Sequence, residues 1–111
     1  MEVSRTQQGP VATLGLKGPL VEEDLGALDR HVEECTTHGI LRIILDIAGV
    51  PFIDSAGLEK IQEIVSRVSL RGGHVCIASP NDVCRDIVAA TRMDSFVLVF
   101  PNRESAFRSL S

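Results

Sequence analysis

Asp54 and Ser55 stand where an apolar run turns into a helical pattern, in the stretch Ala48-Gly49-Val50-Pro51-Phe52-Ile53-Asp54-Ser55-Ala56-Gly57-Leu58-Glu59-Lys60. A carboxylate beside a hydroxyl at such a corner admits a nucleophilic serine, a cation-binding aspartate, or a hydroxyl modified by a partner. Beyond the corner, Leu58, Ile61, Ile64, Val65 and Val68 recur at helical spacing, one face of an amphipathic helix. Asp54 is then a natural N-cap, its carboxylate placed to accept from the amide of Ala56 or Gly57. Ser55 takes the first helical position, its hydroxyl outward beside the positive end of the helix. Ala56 and Gly57 add almost no bulk, which leaves a partner room to approach that hydroxyl.

Each chemistry makes further demands on the chain. The hydrolase elbow G-x-S-x-G needs a glycine where Ile53 stands, and a base within reach of the serine. His31 and His38 fall in or just after the first helix, and His74 opens a strand at the opposite end, so hydrolysis is disfavoured. A phosphate-accepting receiver domain wants a late lysine, and the only lysines are Lys17 and Lys60. Asp46 and Asp54 make a weak cation pair at their separation; a helix cap and an acceptor for loop amides are simpler roles. Gly72-Gly73 follows a helix and therefore reads as a C-cap and turn, no phosphate cradle.

The elements that must position this corner follow from periodicity. Met1 to Thr6 reads as a strand, Gln7 to Pro10 as a turn, and Val11 to Lys17 as an alternating strand. Gly18-Pro19 breaks it, and Glu22-Glu23-Asp24 opens a helix with the stripe Leu25, Leu28, Val32 and Cys35, ended by Gly39. Ile40 to Ile47 is a strand buried on both faces. After the central helix come Val75 to Ala78 as a strand and a helix capped by Asn81 or Asp82, with Val83, Ile87, Val88 and Thr91 inward. Phe96 to Phe100 is a last strand, and Arg103 to Leu110 a closing helix. Alternation from Val11 onward makes parallel pairing through right-handed crossovers the economical arrangement. Sites in such sheets collect beyond the carboxyl ends of the strands, where Asp46, Asp54 and Ser55 would lie.

Composition bounds the function. The 111 residues, 44% hydrophobic and 23% charged, are most simply one domain, 1–111. A net charge of −4 with neither Trp nor Tyr argues against nucleic acid as a partner. Cys35, Cys76 and Cys84 form no CxxC pair and sit in apolar patterns, as buried reduced thiols do in a cytoplasmic protein. The amino-terminal residues show no signal sequence, and no apolar run approaches the roughly 20 residues a bilayer requires. Membrane insertion is not expected, nor is a metal or other cofactor.

The run LDIAGVPFIDSAGLEKI resembles the STAS domain, specifically the small bacterial anti-sigma-factor antagonists, whose mark is an apolar strand and loop leading to D-S-x-G-L at a helix start. The likeness extends over almost the whole chain, including the Gly72-Gly73 exit and the short last helix. It implies an α/β fold: a STAS-like mixed, mostly parallel sheet of about five strands flanked by about four helices, without catalytic activity. It also implies that Ser55 is the phosphoacceptor and that Asp54, Ser55, Ala56 and Gly57 form the partner-binding corner. The implied partners are an anti-sigma factor that is also a serine kinase, and a PP2C-type phosphatase. The implied function is partner switching that regulates transcription: the unphosphorylated antagonist holds the kinase and frees the sigma factor. A STAS scaffold in a transport or stress-sensing assembly, without a phospho-switch, is the alternative. Two positions depart from the family pattern. Ala56 replaces a second hydroxyl, and Gly18-Pro19-Leu20-Val21 replaces G-E-L-D, so Val21 lacks the partner-facing carboxylate.

Overall fold

The computed structural model describes residues 1–111. Strands β1 (Glu2–Gln8) and β2 (Val11–Lys17) form an antiparallel hairpin, closed by Gly9-Pro10 with Gly9 at φ +57°. Strands β3 (Arg42–Gly49), β4 (His74–Ala78) and β5 (Leu98–Phe100) then add in parallel, giving one five-stranded sheet in sequence order. Helices α1 (Gly26–Thr37), α2 (Ser55–Leu70) and α3 (Asp82–Ala90) are the crossovers. Strands that add in one direction through right-handed crossovers put every crossover helix on one face. The main core lies there, with Leu28 and Val32 of α1, Ile61, Ile64 and Val68 of α2, and Val88 of α3 against Leu14, Ile43, Leu45 and Ile77. Helix α4 (Arg103–Leu110) covers the other face, with Ala106 on Val11, Ile44, Cys76 and Ala78. The alternation of β3 is therefore between two buried faces, as its near-continuous apolar run predicts. All three cysteines are buried and unpaired.

Boundaries move where backbone groups are spent on turns. The expected strand start at Ile40 shifts to Arg42, because the Ile40 amide closes α1 on the Cys35 carbonyl at 2.8 Å, beside Gly39 at φ +77°. The last strand starts at Leu98 and not Phe96, because the amides of Phe96 and Val97 both bond the Met93 carbonyl at 2.9 Å. The first helix does not open at Glu22: Glu22–Asp24 form a separate 3-10 turn, and α1 begins after Leu25. In α3 the inward residues are Cys84 and Val88, whereas Val83 and Thr91 are exposed and Ile87 is half-buried. A thiol filled the place that the aliphatic pattern assigned to Val83.

The core face of α2 carries the first prediction. Ile64 is fully buried, so Ile64→Ala should cost about 2–4 kcal/mol as a cavity between helix and sheet. Glu63, with its side chain 52% exposed, bonds only Lys60 and Arg67 at the surface. Its replacement by Ala should shift stability by no more than about 0.5 kcal/mol. Urea midpoints in that order check the assignment.

Candidate functional site

At the carboxyl end of β3 the chain crosses Val50–Ile53 and enters α2 at Ser55. The Asp54 carboxylate works on both sides of that corner. Its Oδ1 accepts from the Gly57 amide at 2.8 Å, capping α2, and its Oδ2 accepts from the Glu22 amide at 3.3 Å. The backbone repeats the tie: Leu20 donates to Phe52 at 3.1 Å and Asp54 donates back to Leu20 at 3.0 Å. The tight turn at Glu22–Asp24 thus aims its amide at Asp54 instead of continuing a helix. This joins the segment after β2 to the start of α2, so the loop before Ser55 is fixed by parts distant in sequence.

Ser55 is exposed at the first helical position, and the side-chain bonds of the corner belong to Asp54. Ala56 beside it is half-buried and packs against the main core. Gly57 is buried, and its lack of a side chain is used inside the fold: a Cβ there would stand 2.3 Å from the Leu20 carbonyl oxygen. Val21 is half-buried, while Glu22 and Glu23 after it are exposed. Lys60, the nearest lysine along the chain, bonds Asp29 at 2.9 Å and Glu63 at 3.1 Å. Those partners, Asp29 first, raise the Lys60 pKa, so it is an ammonium committed to bracing α1 against α2.

Asp46 does not join the corner. Its side chain, 8% exposed, lies on the α4 face, where Oδ1 accepts from the Ala48 amide at 2.9 Å and Oδ2 pairs with Arg103 Nε. Gly15 leaves the space for that arginine, since a Cβ would come 2.8 Å from its guanidinium. Asp46 and Asp54 are therefore on opposite faces and make no cation pair; the loop-amide and helix-cap roles are the ones they fill. The histidines stand apart from the serine, with His74 exposed at the amino end of β4. A cleft of about 550 Å³, lined by Arg42, His74, Phe96 and Leu98, opens at that far end.

Two exposed apolar residues escaped the sequence reading: Phe52 in the loop before the serine, 46% exposed, and Val83 in α3, 52% exposed. Both sit inside apolar patterns, so their sequence signal is that of core. Their elements meet because the Asn81 side chain, capping α3 from the Cys84 amide at 2.7 Å, also reaches the carbonyls of Val50 and Pro51.

The family model of the STAS domain matches residues 2–106. The chain belongs to the STAS domain family. Among solved structures, this STAS domain is similar to TM1081 of Thermotoga maritima, at 24% identity, 97% of this chain, 93% of that chain and TM-score 0.90. It is also similar to the Bacillus cell fate determinant SpoIIAA in its phosphorylated form, at 13% identity, 99% and 100% of the two chains and TM-score 0.75. The third is the murine anion transporter Slc26a9, at 16% identity and TM-score 0.79, where 95% of this chain matches 18% of the other. At these identities the likeness establishes the fold. No curated protein matches the chain in sequence. No helix of the STAS domain is long and apolar enough to cross a membrane.

Proposed function

We propose that this STAS domain is an anti-sigma-factor antagonist whose partner binding is switched by phosphorylation of Ser55. The observation that carries this reading is the exposed Ser55 hydroxyl at the start of α2, on a corner that the Asp54 carboxylate braces through Gly57 and Glu22. The partner is an anti-sigma factor that is also a serine kinase; it is bound by the unmodified form and released by the phosphorylated one. A PP2C-type phosphatase reverses the modification, and the exchange takes place in the cytoplasm. The domain itself is not an enzyme: it offers a hydroxyl and a surface. SpoIIAA, solved in phosphorylated and unphosphorylated forms and described as an anti-sigma factor antagonist, supports the reading by its shared fold. The binding corner comprises Asp54, Ser55, Ala56 and Gly57, in which Asp54 and Gly57 set the backbone and Ser55 carries the signal.

A second reading has its own observation, the match to a segment of Slc26a9. There the domain would serve as a scaffold in a transport assembly, and Ser55 would stay unmodified. Incubation with the anti-sigma kinase of the same genome and ATP separates the two. The expected result is one added phosphate, located on Ser55 by mass spectrometry and lost in Ser55→Ala, which still binds the kinase. Ala56 offers no neighbouring hydroxyl to take its place. An unmodified Ser55 after that incubation sinks the switch and favours the scaffold.

A further inference from the structure

Val50 and Pro51 carry the chain from β3 toward Ser55, and a side chain about thirty residues further on holds them. Asn81 stands at the N-cap of α3. Its Oδ1 accepts from the Cys84 amide at 2.7 Å, while its Nδ2 donates to the Val50 carbonyl at 3.1 Å and the Pro51 carbonyl at 3.4 Å. Cys84 Sγ lies 3.3 Å from the same Val50 carbonyl. Burial pushes the Cys84 thiol pKa up, so the sulfur keeps its proton and can donate it. Only one orientation of the Asn81 carboxamide puts its oxygen on the amide and its nitrogen on the carbonyls.

Capping alone does not ask for this reach. Asn102 caps α4 by accepting from the Ser105 amide and hydroxyl, within its own turn. Asn81 instead is delivered to the loop by an unusual approach: Ser79 has φ +61°, a left-handed conformation seldom taken by residues other than glycine, and Pro80 after it is buried. On its other side the loop is tied to Leu20 through Phe52 and Asp54. The segment before Ser55 is therefore clamped between the residues after β2 and the start of α3. We infer that Asn81 is a positioning residue for Ser55, its carboxamide fixing the Val50–Pro51 segment and with it the pose in which the hydroxyl meets the kinase. The kinetic half of this inference rests on the phospho-switch reading; the structural half does not.

Asn81→Asp keeps an acceptor for the Cys84 amide and loses the donor, and Asn81→Ser keeps that acceptor on a side chain one bond shorter, with no second polar atom to span to the loop. Serine and aspartate cap helices about as well as asparagine, so both variants should fold, melting below the wild-type protein by about 6 °C for the lost loop bonds alone. In the isolated protein, hydrogen exchange at the amides of Val50 and Asp54 should quicken about tenfold, while that at Ala106 in α4 stays unchanged. Tenfold is about 1.4 kcal/mol, the size of one or two neutral hydrogen bonds. With the anti-sigma kinase that modifies the wild-type protein, KM should rise roughly three- to tenfold at constant kcat, because a looser loop spends less time in the competent pose. The neutral Ser variant shows that the effect is not one of added charge. Unchanged exchange at Val50 and Asp54 in both variants overturns the inference whatever the kinase does. Quickened exchange with unchanged KM also overturns it, confining Asn81 to the fold. A wild-type protein left unmodified defeats the phospho-switch instead, and exchange still decides whether the latch exists.

Discussion

Phosphorylated on Ser55, the protein is expected to lose at least about a hundredfold in affinity for the kinase proposed as its partner, with almost no change in its own stability. The asymmetry comes from where the charge is paid for in each state. In the isolated protein the phosphate adds about −1.5 to −2 charges at an exposed helix start, and the α2 dipole returns about 0.3–1 kcal/mol of favourable interaction. The fold therefore tolerates it. In the docked state the same group is desolvated beside Asp54, whose oxygens are already committed to the Gly57 and Glu22 amides. Glu22 and Glu23 are exposed next to those bonds, and Lys60, the nearest lysine along the chain, is already held by Asp29 and Glu63. A buried charge without a partner costs several kcal/mol, and a hundredfold loss needs only about 2.8 kcal/mol.

Calorimetric titration of the kinase with each form reads the difference directly. Ser55→Ala should bind like the unmodified protein. Ser55→Asp, carrying about one charge against nearly two, should weaken binding by less than true phosphorylation. Melting temperatures of all forms should agree within a few degrees. Equal affinities for the modified and unmodified proteins would remove the switch, and a collapse in stability on phosphorylation would mean that Ser55 is structural.

What the sequence made legible depended on how far apart the interacting residues are. The α2 start could be read because its parts are local: the Leu58, Ile61, Ile64, Val68 spacing, and an aspartate three residues before the amide it caps. β2 and α4 were bounded correctly for the same reason, each lying between breakers that act on neighbouring residues. Asp46 was legible as polar and buried in a strand, but its partner Arg103 lies 57 residues away and no periodicity connects them. Asn81 was legible as a cap, and its hold on the loop before Ser55 was not. The face of α3 was misread because Cys84 packs as a small apolar residue while Val83, a better hydrophobe, is left outside. Val83 and Phe52 are where local pattern and tertiary surface disagree, and both sit beside elements that meet at the serine's end of the sheet.

Gly57→Ala should destabilise the protein by about 2 kcal/mol, roughly 8 °C or more in melting temperature. Judged by propensity alone the change would help, since glycine inside a helix is worse than alanine by about 1 kcal/mol. Geometry reverses the sign here. The new Cβ would meet the Leu20 carbonyl oxygen at 2.3 Å and carbon at 3.0 Å, and Ile53 Cγ2 at 2.9 Å. Two of those atoms are backbone and cannot rotate aside, so the Leu20 segment must move away from α2. That segment is what Phe52 and Asp54 bond, and Glu22 follows it to Asp54. One methyl group thus strains the cap, the loop and the turn together. Gly26, in the first turn of α1, is the control: a Cβ there meets nothing within 4 Å. Gly26→Ala should accordingly stabilise the protein by about 0.5–1 kcal/mol. Thermal melts of the two variants should move in opposite directions, and Gly57→Ala should also quicken exchange at the Asp54 amide, whose acceptor is Leu20. A neutral or stabilising Gly57→Ala would show that the Leu20 segment yields freely, and then the bracing of Ser55 from that side would count for little.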